Sequence, residues 1–147
     1  MSLFSGGRTT GVVFDSGFGI SHSVPIYEGY VIPSGVERIN ISGEHLTNHL
    51  QKLLNERGAS ASLSGAKNTV QRTFTTMAEI DQLRQMKETM TYCVENYSHA
   101  LQDSKESKAC EKAFVLPDGS KIILGKERFS CPEILFTPEL AESNNIA

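Results

Sequence analysis

The sequence predicts a mixed α/β fold, with helices over one face of a largely antiparallel sheet, and three observations predict it. Residues 9–41 alternate short apolar, β-branched runs with turn formers. From Ser42 the apolar period becomes helical, and over residues 113–124 two apolar runs flank a Pro-Asp-Gly-Ser turn. Strands, helices, a hairpin and a last helix fit one domain, and 147 residues with 39% hydrophobic content suffice to bury a core.

The strand meander covers residues 9–41. Its apolar runs, 9–14, 20–26, 30–32 and 37–41, are too short and too often broken by glycine for helices, and Asp15-Ser16-Gly17-Phe18-Gly19 and Glu28-Gly29 are hairpin chemistry. Leu46, Leu50, Leu53 and Leu54 then recur at i, i+4, i+7 and i+8, the stripe of an amphipathic helix. Gly58 is expected to end that helix with a left-handed cap. Residues 59–75 hold Ser, Ala, Thr, Gly and Asn with little apolar spacing, which predicts a long mobile loop.

Thr76-Met77-Ala78-Glu79 carries the pattern of a capping box, so a second helix starts there. Its apolar stripe is Ile80, Leu83, Met86, Met90, Cys93, Val94 and Tyr97, and its polar stripe is Arg84, Lys87, Glu88 and Thr91. A helical piece is expected over 97–102, a charged surface connection over 103–111, and a hairpin of 113–116 with 121–124 about Pro117-Asp118-Gly119-Ser120. A short helix broken at Pro132 fits within 125–136, and 137–147 reads as a frayed tail.

Charge narrows the function classes. Fourteen Lys and Arg against seventeen Asp and Glu give a formal net charge of −3, so no basic surplus exists for a run of phosphates and a nucleic-acid binder is not expected. No apolar run approaches the ~18–20 residues that cross a bilayer, so no membrane insertion is expected, and the first residues lack the layout of a secretory signal. A soluble, intracellular chain is the expectation. Cys93, Cys110 and Cys131, odd in number and outside any C-x-x-C spacing, read as reduced thiols.

Two segments could carry chemistry. In the run from Thr9 to His22, a strand delivers Asp15 to its end and Gly17 and Gly19 let backbone N–H groups approach an anion, such as a nucleotide phosphate or its metal. Asp15 could hold Mg²⁺ through water. The same residues also make an ordinary hairpin turn. On the second helix, Arg84, Lys87 and Glu88 could present donors and an acceptor to a ribose or base edge, or form a solvated face with an Arg84–Glu88 ion pair. Gly43 could admit a ligand or simply start the first helix. His45 and His49 have ligand spacing but neither an intervening Glu nor a third partner, which speaks against zinc. No G-x-S-x-G elbow supports a hydrolase.

The motifs Gly7-Arg8-Thr9-Thr10-Gly11, Asp15-Ser16-Gly17-Phe18-Gly19, Ser21-His22 and Val24-Pro25-Ile26-Tyr27-Glu28-Gly29-Tyr30 resemble the actin and actin-related family. The likeness continues through Gly43, Leu46-Thr47, Glu56-Arg57-Gly58, Met86-Lys87-Glu88, Leu116-Pro117-Asp118-Gly119 and Glu127-Arg128-Phe129-Ser130-Cys131-Pro132-Glu133. They are colinear over residues 6–136. The resemblance implies an actin-like ATPase (ribonuclease H-like) half-domain, residues 9–41 matching the start of the third subdomain and 42–136 the fourth. It implies a fragment, with Met1-Ser2-Leu3 as an appended leader, whose intact parent binds ATP or ADP with Mg²⁺ between two lobes. Asp15 would belong to the metal-water site, Gly17, Phe18, Gly19 and Ile20 to the second phosphate loop, and His22 to the surroundings of the hydrolytic water. Gly43, Arg84, Lys87 and Glu88 would border the adenosine.

Two departures stand out. Phe18 occupies a place where actins usually have an Asp that helps hold the metal's water shell, and the 59–75 connection is longer than usual. One reading is therefore a fragment of a cytoskeletal, ATP-binding actin-like protein that is no enzyme by itself and holds no nucleotide tightly. Its partners would be other actin-like subunits and actin-binding proteins, and its place the cytoplasm. The alternative is a non-catalytic actin-related module that docks in a larger complex, with the nucleus as a further location.

Overall fold

Strand β2 (Ser21–Tyr27) organises the first part of the chain. It pairs antiparallel with β1 (Gly11–Ser16), Val13 facing Val24 and Asp15 facing His22. Its other edge is shared: β3 (Tyr30–Val31) takes Ile26 and Tyr27, and β4 (Glu37–Ile39) takes Ser21, His22 and Ser23. Tyr27 and Tyr30 close on the two-residue turn Glu28-Gly29, whose φ values of 45° and 86° match the right-handed strand twist. A 3-10 turn, Pro33–Gly35, leads into β4, and a short helix α1 (Ser2–Ser5) precedes the sheet.

A computed structural model describes residues 2–63, 74–107 and 109–142. It divides into two compact units, Met1–His45 and Leu46–Ala147. The predicted meander is the sheet of the first unit. Strand alternation puts Val12, Phe14, Tyr27, Tyr30 and Ile39 on one face, and all five are exposed.

Helix α2 (Gly43–Leu63) carries the leucine stripe, with Leu50 fully buried and Leu54 nearly so. It runs past Gly58, where a stop was expected. Gly58 is not among the residues of positive φ, so no left-handed cap forms. One helical glycine costs only about 1 kcal/mol, and the Ala and Ser that follow tolerate helix. The expected 59–75 loop is thereby shortened at its start. Its end is also different, because Phe74 is 2% exposed and its carbonyl accepts a hydrogen bond from Gln51 Nε2. Residues 64–73 of that loop lie outside the described residues.

The capping box forms as the sequence predicts. Glu79 N–H donates to Thr76 Oγ1 (3.4 Å), while Thr76 N–H and Thr75 N–H donate to Glu79 Oε2 (2.9 and 3.0 Å). Helix α3 (Met77–Met90) ends earlier than the apolar spacing suggests. Thr91 is extended, and Tyr92 N–H donates to Arg128 O (3.1 Å), so a partner far along the chain outcompetes another helical turn. Cys93 is consequently exposed. Helix α4 (Tyr97–Glu106) is longer than predicted and takes in part of the expected 103–111 connection, because Asn96 caps His99 N–H and Lys105 sits favourably in the last turn.

The Pro-Asp-Gly-Ser hairpin joins β5 (Lys112–Val115) to β6 (Lys121–Leu124), Gly119 supplying φ 81° and Ser120 N–H donating to Asp118 Oδ1 (2.9 Å). Helix α5 (Glu127–Glu133) contains Pro132 in its last turn rather than breaking there, and α6 (Glu139–Glu142) gives order to part of the expected tail.

The second unit's core joins Leu50 and Leu54 of α2 to Leu83, Met86 and Met90 of α3, with Phe74, Leu116, Leu124 and Cys131. All three cysteines are free thiols. Burial pushes the Cys131 thiol up to about 12 against the opposing pull of Lys87, so it stays protonated and donates to Leu46 O (3.4 Å).

His49 is buried as well. Desolvation, reinforced by Lys52 and opposed by Glu56, holds its pKa below the ordinary 6.5. The unfolded chain therefore binds a proton that the folded chain refuses, and stability falls as pH drops through 6.5 toward the folded value. Urea unfolding followed by circular dichroism is expected to show a midpoint that declines between neutral and mildly acidic pH. His49→Gln should flatten that decline, and an unchanged slope would exclude His49 as its source.

Candidate functional site

The hairpin tip between β1 and β2 is fixed from two sides. Gly17 N–H donates to Ile20 O (3.0 Å), closing the tip, and the Gly17 and Phe18 carbonyls accept from Gly43 N–H (3.0 Å) and Glu44 N–H (2.8 Å). Those two donors belong to the first turn of α2, where backbone N–H groups have no partner within the helix. The tip thus serves as the N-terminal cap of α2. Its carbonyls turn inward to do so, and Gly19 N–H has no acceptor among the described residues.

Asp15, Gly17, Phe18, Gly19, Ile20, His22 and Gly43 are all brought together around this tip in the first unit. Below it, Ser16 Oγ and Ser21 Oγ lie 2.8 Å apart and Ser21 Oγ donates to Ile41 O (2.6 Å), pinning the two strands to the segment that leads into α2. A Cβ at Gly17 would meet Ile20 O at 3.3 Å, whereas one at Gly19 would meet nothing within 4 Å. Gly17 is thus closely approached by the turn's own backbone, whereas the space beside Gly19 is open.

The register adds a residue that sequence reasoning missed. Asp15 faces His22 and His22 faces Arg38, so acid, imidazole and guanidinium form one row across β1, β2 and β4. No local signal marks Arg38, since its place beside His22 depends on β4 pairing with the start of β2.

An acid partner for Asp15 is missing from the tip. Phe18, 58% exposed, presents an apolar ring instead. Among the described residues no group of three or more His, Cys, Asp or Glu is placed to hold a metal ion. A tip that offers Asp15 and an exposed phenyl ring is a poor cradle for a hydrated divalent cation, which needs several oxygen acceptors around its water shell.

Arg84, Lys87 and Glu88 lie on α3, in the second unit. Arg84 pairs with Asp81, one turn before it, rather than with Glu88, and both side chains of that pair are substantially exposed. Lys87 Nζ donates to Thr47 Oγ1 (3.1 Å), a buried hydroxyl on α2, so this lysine ties two helices together. Glu88 is exposed. The polar stripe therefore divides into a surface pair, a helix-to-helix tie and an exposed acid.

No helix of the described residues is long and apolar enough to cross a membrane. A comparison with protein-family models matches one described as Actin, and the match extends over residues 1–147. With the mixed α/β architecture and the colinear motifs already set out, that match over the whole length shows that this chain belongs to the actin family.

Proposed function

We propose that this chain is the part of an actin-type, ATP-binding protein that carries the second phosphate loop, and that by itself it neither hydrolyses ATP nor holds it tightly. The observation that carries the reading is the hairpin tip. Its carbonyls cap α2 and its Gly19 N–H stays available to a phosphate, while the metal side has Asp15 alone beside exposed Phe18.

Of this chain's own groups, Gly19 N–H would donate to a phosphate oxygen. Arg38, in register with His22, would add a cation on the same face of the sheet. The family reading assigns the adenosine to Gly43, Arg84, Lys87 and Glu88, and in the folded chain Lys87 and Arg84 already have partners in Thr47 and Asp81. A ligand that must compete for its donors and gains few contacts recovers little of its immobilisation cost.

Isothermal titration with Mg-ATP, together with a phosphate-release assay, tests this. No turnover above a buffer blank and no binding tighter than about 100 μM is the expected result. Low-micromolar binding or measurable turnover overturns the reading. Association with other actin-like subunits belongs to the same proposal. Phe18 specifically favours the second reading, a non-catalytic actin-related module within a larger complex, because an exposed aromatic ring replaces a metal-site acid.

A further inference from the structure

Helix α4 borders a groove on the second unit. Two adjoining hollows of about 630 and 260 Å³ form it, and Ser104 and Cys110 line both. The larger has Leu101 and Ile123 as apolar wall and Arg57, Lys105 and Lys126 around it, whereas the smaller ends on Tyr92 and Phe129. One end is cationic, the other aromatic.

The groove is braced before anything enters it. Arg128 Nη1 donates to Cys110 O (2.7 Å) and its Nε to Met90 O (2.8 Å), and its guanidinium sits 4.8 Å from the Tyr92 ring centroid. A single side chain thus fixes both the floor and one aromatic wall. Glu127, 3% exposed, is already satisfied by Arg57 Nη1 at 3.4 Å and Gly125 N–H at 2.8 Å. With that pair neutralised, Lys105 and Lys126 stand against Glu111 among the described residues that line the larger hollow. The cationic end is therefore locally positive on a chain whose formal net charge is −3. Asp103, on the smaller hollow, lies 2.9 Å from His99 Nδ1.

We propose that this groove docks a linear acidic segment of a partner protein. An aromatic side chain of the segment occupies the smaller hollow beside the exposed part of Tyr92, and its carboxylates lie against Lys105 and Lys126. Charge complementarity selects an acidic occupant, and the separation of aromatic and cationic ends sets its direction. Two lysines beside a carboxylate are too few to hold a nucleic-acid backbone. The inference does not depend on the nucleotide reading, since no groove residue belongs to that assignment.

The test uses the whole chain and a fluorescein-labelled hexapeptide, Phe-Ser-Glu-Glu-Asp-Glu, followed by fluorescence polarisation. Saturable binding that weakens with added salt is expected, and the amide analogue Phe-Ser-Gln-Gln-Asn-Gln should bind at least about tenfold more weakly. Combined Lys105→Glu and Lys126→Glu should cost at least about tenfold in affinity, whereas Lys52→Glu, an exposed lysine outside the groove, should change it less than about twofold.

In a Cys93→Ser background the acidic peptide should also slow alkylation of Cys110. That readout keeps both lysines in place and decides the matter even where the charge-reversed variant does not fold. Absent saturation at about 1 mM probe, charge reversal without effect, or unprotected Cys110 each overturns the proposal. Full displacement of the peptide by an equal concentration of pyrophosphate marks a small-anion site and overturns it too.

Discussion

Phe129→Ala is expected to destabilise the second unit by about 3–5 kcal/mol, the cost of removing a buried aromatic side chain. Phe129 is 1% exposed, and its ring meets Tyr97 edge-on at 6.0 Å between centroids and Tyr92 at 6.3 Å with a 56° tilt. Alanine would leave both tyrosine rings facing a void and would remove the edge-to-face contacts, worth roughly 0.5–1.5 kcal/mol beyond burial. Because whole domains are stable by only about 5–15 kcal/mol, a large part of the unit's margin would go. Urea denaturation followed by far-UV circular dichroism measures the change. Phe129→Leu keeps most of the volume and should cost clearly less. A loss below about 1 kcal/mol for the alanine variant would show that Phe129 has no role in holding the core.

Arg57→Leu is expected to cost about 2–3 kcal/mol, somewhat below the 3–5 kcal/mol typical of breaking a fully buried pair, because the Arg57 side chain is 39% exposed and partly screened. Arg57 Nη1 lies 3.4 Å from Glu127 Oε2 and also donates to Ile123 O at 2.6 Å. Without it, the Glu127 carboxylate keeps, among the described residues, the Gly125 N–H as its partner in a 3% exposed position. The damage is therefore charge left uncompensated rather than lost volume. Adding Glu127→Gln should restore at least half of the loss, since a neutral amide costs less to bury and its oxygen can still accept from Gly125. Simple additivity of the two substitutions in denaturant titrations would contradict this account.

Sequence and structure agree where local chemistry is decisive and part where distant partners compete. Thr76 and Glu79 are three residues apart and satisfy each other's helix terminus, and Pro117 to Ser120 contains its own turn. Both were therefore legible. The leucine stripe of α2 was legible for the same reason, with Leu50 at its buried centre. The end of α3 was not, because Tyr92 finds its acceptor at Arg128, 36 residues on. Gly58 misled for a related reason: glycine permits a left-handed stop without requiring one, and an already long helix absorbs its cost.

The candidate site shows the same division. The family, the meander and the acid–glycine hairpin with Phe18 at its tip were legible from the residues, since identity and spacing within some fourteen residues define that tip. Folding was needed to bring the Gly17 and Phe18 carbonyls onto the start of α2, Arg38 into a row with His22 and Asp15, and Lys87 to Thr47 and Arg84 to Asp81. What separates the two groups is the reach of the interactions. Turn and cap chemistry acts over a few residues, whereas strand register and the choice of a lysine's hydrogen-bond acceptor depend on segments that meet only after the chain has folded.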